Sequence, residues 1–164
     1  MKNKKTLFLV QAAMIGAVYV ALTLAFAPFS YGEVQIRISE ALTILPYFTP
    51  AAIPGLFVGC FLSNLLGGCI PLDIVFGSLA TLLGAIFTYT LRQSSRFLAP
   101  LPPIVANTVI VPFVLRYGYG VNLPLAVQML CIAAGEIVSC GIFGLVLQSA
   151  LMRSPFFKQY VSRQ

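Results

Sequence analysis

The sequence predicts an all-α membrane protein with six transmembrane helices and both termini on the cytoplasmic side. Composition is the first reason. The 164 residues are 59% hydrophobic and only 9% charged, whereas a soluble domain is about a quarter charged. The mean hydropathy is +0.96. Length is the second reason: a spanning helix needs about 20 apolar residues, so the chain holds at most about six or seven passes. The third is charge placement, because cytoplasmic loops are enriched in Lys and Arg. On a six-pass map Lys2, Lys4, Lys5, Arg92, Arg96, Arg153, Lys158 and Arg163 lie inside, and only Arg37 and Arg116 outside.

The elements follow in order. Lys2, Lys4 and Lys5 precede an uncharged stretch from Thr6 to Gly32. A cleavable signal has an apolar core of about 7–15 residues. This longer stretch is a first membrane helix over residues 6–27, stopped by Pro28. The uncharged run from Ala41 to Leu72 contains Pro46, Pro50 and Pro54. As one helix it would be about 48 Å long at 1.5 Å per residue, too long for a hydrocarbon core of about 30 Å. Two short passes, over residues 38–49 and 51–66, fit better. Merging them leaves five passes and moves six of the ten basic residues outside. A fourth helix spans 73–91, a fifth 101–116 and a sixth 123–151, the last interrupted only by Glu136. With no repeat or linker, residues 1–164 form a single integral membrane domain.

Several functions are excluded. The chain has no histidine, which removes His-based acid–base catalysis, Ser-His triads and histidine metal sites. It has no GxxxxGK[ST], so it does not hydrolyse ATP through a P-loop of its own. The net charge of +6 follows membrane orientation, and no nucleic-acid partner is expected. Cys60, Cys69, Cys131 and Cys140 show no CxxC spacing and read as packing residues without a disulfide framework. No cofactor, metal or enzymatic activity is expected.

Charges at membrane depth are costly and mark function. The informative polar groups gather in the outer half of the six-pass map. Tyr31, Glu33, Gln35 and Arg37 fall in the first external loop. Glu40 begins the second helix, Asn64 ends the third and Asp73 begins the fourth. Asn107 lies about 15 Å deep and Glu136 about 20 Å deep, counting 1.5 Å per residue. Gln128, Gly135, Glu136 and Ser139 share an arc of about 80° on the sixth helix. The cytoplasmic half has no acidic residue. The distribution describes a cup open to the outside.

Plainer readings stand beside these. Arg37 and Glu40 are i,i+3 neighbours able to pair at a helix start. Asp73 follows Pro71 and reads as a helix cap. Tyr31 fits an interfacial anchor, and Gln128 reads as solvated near the surface. In the first helix Ala13, Ala17, Ala21 and Ala25 recur every four residues, with Ala12 and Gly16 alongside. Such spacing lets another helix approach closely, within the same chain or from a partner.

The stretch from Tyr31 to Gly59 reads YGEVQIRISEALTILPYFTPAAIPGLFVG. It continues through CFLSNLLGG, DIVFGSLATLLGA, LAPLPPIVANTVIVP and the GE at 135–136. This resembles the QueT family of substrate-binding S components of energy-coupling factor (ECF) transporters, over about residues 6–152. The segment around Gln35, Arg37, Ser39 and Glu40 is its most specific part. The resemblance implies a six-helix subunit that binds a micronutrient with high affinity, in a pocket open to the outside and capped by the loop after helix one. It implies docking on a transmembrane coupling protein and two ATPase subunits, with Ala13, Ala17 and Ala21 as the docking surface. It further implies a plasma-membrane location and a queuosine precursor, a queuine-type 7-deazaguanine base, as substrate.

The residues suit that chemistry. A deazaguanine offers a ring N–H beside an exocyclic amine, which one carboxylate accepts in a bidentate way. Its carbonyl needs a donor and its flat face suits aromatic stacking. Glu40 or Glu136, Asn107, Arg37 and Tyr31 supply these groups. Aminomethyl precursors also carry a cation, which a second carboxylate would neutralise. The expected substrate-binding residues are therefore Tyr31, Gln35, Arg37, Glu40, Asn107 and Glu136. The competing reading is a stand-alone secondary transporter or channel, against which the bare cytoplasmic half argues.

Overall fold

The computed structural model describes residues 2–30 and 36–154. Every regular element among them is helical. Helix α1 spans Lys2–Ala25 and is followed by one turn, α2, at Ala27–Ser30. A 3₁₀ segment covers Ile38–Tyr47, α3 covers Ala52–Leu66 and α4 covers Pro71–Leu91. A short 3₁₀ turn at Arg96–Leu98 leads to α5, Leu101–Tyr117. The last helical run comprises α6 (Leu125–Glu136), a π-helical stretch (Ile137–Phe143) and α7 (Gly144–Arg153). Four helices are long and apolar enough to cross a membrane: Lys4–Ala25, Pro71–Leu91, Arg96–Tyr117 and Leu125–Arg153.

The bundle is apolar outside and partly polar inside, as a chain dissolved in lipid requires. Leu9 is 66% exposed and Leu130 71%, while Thr23, Ser39, Ser63, Thr81, Thr88 and Ser139 are buried. With no hydrophobic drive between helices in lipid, close backbone approach holds them together. Small residues allow it. Gly16 on α1 faces Gly55 and Gly59 on α3, and Gly84 on α4 lies against Pro103 on α5. Tyr19, Ala52, Leu56, Cys60 and Ala85 form the core between these contacts.

The region expected as a second α-helical pass is instead the 3₁₀ segment. Long 3₁₀ runs are uncommon, and here neighbours support it on every side. Residues 36–50 include no exposed position. The segment packs against α1, α3, α4, the π stretch and α7. Pro46 removes a backbone donor from the run. The Thr43 hydroxyl donates to the Glu40 carbonyl at 2.6 Å. At about 2.0 Å rise per residue the run is about 20 Å long, and α3 is about 22 Å at 1.5 Å per residue. Both fall short of a full hydrocarbon core of about 30 Å. Three residues per turn stack Arg37, Glu40, Thr43 and Pro46 along one edge, and all four are buried.

Three further differences have local causes. Helix α1 ends at Ala25, and Pro28 does not stop it; Pro28 sits inside α2, in a first turn where its missing N–H is not needed. Ser30 closes that turn, donating to the carbonyls of Phe26 at 3.0 Å and Thr23 at 3.3 Å. The final helical run starts at Leu125 and contains the π stretch, where a plain helix from 123 was expected. That stretch begins beside Glu136, and Cys140 within it donates to Glu136 Oε2 at 3.1 Å. Gln128 is not solvated: it is 2% exposed, and its amide donates to the carbonyls of Val121 and Leu123, both at 3.0 Å.

The α1–α3 contact is open to a direct test. A Cβ at Gly55 would stand 2.6 Å from the Ala12 carbonyl oxygen, and backbone has no far end to move aside. Gly55→Ala should lower stability by about 1–3 kcal/mol, measured as a drop in the thermal unfolding midpoint in detergent. An unchanged midpoint would show that α1 slides freely on α3.

Candidate functional site

The stacked edge of the 3₁₀ segment brings the rare charged groups to the centre of the bundle. Glu40 is 1% exposed. Its Oε1 accepts a hydrogen bond from the Tyr19 hydroxyl of α1 and lies 4.0 Å from Arg37 Nη1. Its Oε2 has no hydrogen-bond partner. Next to Glu40, the Ser39 and Thr23 hydroxyls meet at 2.6 Å, a second polar link from the segment to α1. Arg37 Nη1 also approaches Cys60 Sγ at 3.7 Å. Arg37 and Glu40 are thus close to each other, as their i,i+3 spacing allows, and both line the cavity described next.

From the opposite side, α5 presents Asn107 and the end of α6 presents Glu136. Asn107 Nδ2 donates to Glu136 Oε1 at 3.0 Å, and Cys140 Sγ approaches Glu136 Oε2 at 3.1 Å. Cys140 also reaches the Glu40 carbonyl at 3.6 Å, and the Thr43 hydroxyl points to Cys140 Sγ at 3.4 Å. Helix α4 completes the ring with Asp73 and Gly77. Arg37, Glu40, Asp73, Gly77, Asn107, Val111 and Glu136 line a cavity of about 10 Å³. Such a space suits one water at most, and small-molecule pockets run to about 300–1,000 Å³. The polar groups therefore close on one another and leave no room for a small molecule.

Of the expected binding residues, Arg37, Glu40, Asn107 and Glu136 meet at this one place. Tyr31 and Gln35 lie outside the described residues. Asp73 was missed because its position near Pro71 reads as a cap. It is the third residue of α4, and the N-cap position is Ile70. Instead Asp73 Oδ2 accepts from the Tyr119 hydroxyl at 3.0 Å, and Asn64 donates to its carbonyl at 3.4 Å. Tyr19 was also missed, although it is a lone phenol in the middle of the first apolar helix. Cys60 and Cys140 correct the packing reading: all four thiols are free, but these two take part in the polar network. Their only sequence signal was proximity to Asn64 and Glu136, four residues away in each case.

The donor atoms of Glu40, Glu136 and Cys140 lie within 4.8 Å of one another, the nearest approach to a metal-ligating group among the described residues. The Arg37 guanidinium beside Glu40 opposes a divalent ion there. On the outer surface of α1, Ala13, Ala17 and Ala21 are exposed. The neighbouring Ala12 and Gly16 are the ones used internally, against Gly55 and Gly59.

Comparison with known proteins gives the lineage. The profile of the QueT transporter family matches residues 9–153, nearly the whole described chain. The chain belongs to the QueT transporter family. Over 84 residues it is 37% identical to the "Queuosine precursor transporter QueT" of Lactococcus lactis subsp. cremoris (strain MG1363). That match spans 50% of this chain and 49% of the relative. No solved structure matches. The family and this relative are transporters, not enzymes.

In this QueT-family chain the loop residue Tyr119 ties α4 to the α5–α6 connection. Its hydroxyl donates to Asp73 and accepts from the Ile70 N–H at 3.4 Å. Burial, and then the Asp73 carboxylate, raise its pKa above the ordinary tyrosine value. Because the folded value is raised, the link contributes fully below the unfolded pKa of about 10 and is lost only as pH climbs through the folded one. Absorbance at 295 nm checks this: the difference between wild type and Tyr119→Phe should lack a phenolate step near pH 10. A step there would show Tyr119 to be solvated and unlinked.

Proposed function

We propose that this protein is the substrate-binding membrane subunit of an ECF-type importer for queuosine precursors, 7-deazaguanine bases such as queuine. The observation that carries the proposal is the buried meeting of Glu40, Asn107, Glu136 and Arg37 around one cavity. Glu136, with Asn107 at 3.0 Å, offers a carboxylate and an amide side by side. That is the complement of a deazaguanine edge, whose ring N–H and amine donate and whose carbonyl accepts. The name of the Lactococcus relative, a queuosine precursor transporter, agrees with this chemistry. Tyr31 and Gln35 of the loop after helix one are assigned to the same site. Since the cavity is about 10 Å³, binding moves the 3₁₀ edge away from α5 and α6.

The rest of the assignment follows the same logic. The chain is one plasma-membrane domain over residues 1–164, with six passes and both termini cytoplasmic. The 3₁₀ segment and α3 count as two short passes. It contains no P-loop, so ATP hydrolysis belongs to two ATPase subunits joined through a transmembrane coupling protein. The exposed Ala13, Ala17 and Ala21 are the docking surface, a face where a partner helix approaches without meeting long side chains.

Two measurements test this. Calorimetric titration of the purified protein with queuine or its aminomethyl precursor should show tight binding. Glu136→Gln should weaken it by about 1–3 kcal/mol, the effect of removing a charged acceptor from a buried site. Tight binding of an unrelated vitamin instead would refute the substrate and keep the class. Separately, Ala17→Leu should abolish co-purification with the coupling protein while leaving substrate affinity intact. A complex that survives the substitution would move docking elsewhere.

A further inference from the structure

The chain is basic overall, with ten Lys and Arg against four Asp and Glu. Its acids are nevertheless concentrated in one place. Glu40, Asp73 and Glu136, three of the four in the whole sequence, line the same small cavity, with Arg37 as the one basic residue in that lining. Three carboxylates face one guanidinium. Glu40 and Glu136 bring carboxylate oxygens within 4.8 Å of each other, where like charges repel and either a proton or a cation between them relieves the repulsion.

The acceptors are unevenly used. Both oxygens of Glu136 receive donors, Asn107 on one and Cys140 on the other. Asp73 Oδ2 takes the Tyr119 hydroxyl. Glu40 Oε1 takes the Tyr19 hydroxyl, but Glu40 Oε2 is buried without a partner. Asn64 Oδ1, Gln128 Oε1 and Ser139 Oγ are also buried without a partner, but Glu40 Oε2 is the carboxylate oxygen among them, and each such atom forfeits the hydrogen bonds it had in water.

We infer that the site selects the cationic members of its ligand class, with a protonated amine of the ligand received by Glu40 Oε2 and balanced by Glu136 and Asp73. This rests on the proposed deazaguanine reading and narrows it to bases with an aminomethyl or substituted aminomethyl arm. An ammonium fits better than a metal ion. It brings a single charge beside Arg37, 4.0 Å from Glu40, and it supplies N–H donors to an oxygen that lacks one. A divalent ion would place two further charges beside the guanidinium.

The test compares two ligands with the same ring: 7-aminomethyl-7-deazaguanine, cationic at neutral pH, and 7-cyano-7-deazaguanine, which is neutral. Titrated into the purified full chain, the aminomethyl base should bind about 100-fold more tightly, the scale of a buried hydrogen bond to a charged group. Glu40→Gln should remove most of that preference, lowering aminomethyl affinity far more than nitrile affinity. Asp73→Asn should reduce the preference in the same direction, and serves if Glu40→Gln does not fold. Equal affinity for the two bases in wild type would overturn the inference and leave the deazaguanine reading in place. Binding of neither base would remove that reading itself. A preference abolished by Glu33→Gln but not by Glu40→Gln would assign the cation to the external loop. Zinc titrated alone, binding in wild type but not in Cys140→Ser, would make the cluster a metal site and refute the ammonium.

Discussion

A carboxylate inside a membrane bundle has no water to turn to, so its partners must come from the protein. Glu40 is the point where this constraint is most concentrated. Its side chain meets the Tyr19 hydroxyl of α1 and lies beside Arg37. Its backbone carbonyl receives Thr43 and Cys140. One residue thereby touches α1, its own 3₁₀ segment and the π stretch of the last helical run. Several of the polar links between elements start from it, and others, such as Asn107 to Glu136 and Tyr119 to Asp73, close the rest of the ring.

That concentration depends on an unusual backbone. In an α-helix Arg37, Glu40, Thr43 and Pro46 would wind steadily round the axis at 100° per residue. In a 3₁₀ run they stack on one edge. The segment is held in this form because it is enclosed by five neighbouring elements and because hydroxyl and thiol side chains reach its carbonyl groups. The π stretch answers it from the other side, presenting Cys140 to both Glu136 and Glu40. Two departures from α-helical geometry therefore pack against each other beside the cavity. Both sit where ionisable groups meet, the setting in which such departures are usually found.

Small residues do a different job. Gly16, Gly55 and Gly59 bring α1 against α3 closely enough that Tyr19 reaches Glu40 from across the bundle. The same helix leaves Ala13, Ala17 and Ala21 exposed one face away. Helix α1 thus joins the buried polar cluster on its inner side, through the Tyr19–Glu40 and Thr23–Ser39 links, to an exposed row of small residues on its outer side.

The sequence alone determined the solvent of this protein, its helical class and the identity of the residues worth watching. Composition is a sum over the chain and needs no coordinates, and an isolated Asn107 or Glu136 in an apolar run stands out for the same reason. It also carried the family, through the segment around Gln35, Arg37, Ser39 and Glu40. Tertiary structure decided what periodicity could not express. Asp73 reads as a cap until α4 is set beside the α5–α6 loop and Tyr119 claims its carboxylate. Cys60 and Cys140 read as packing until the bundle closes around Arg37 and Glu136. The 3₁₀ and π stretches are stabilised by side chains distant in sequence, up to 100 residues apart for Cys140 and Glu40. Local propensity carries no trace of such partners, so the shape and charge of the cavity appear only when the helices are assembled.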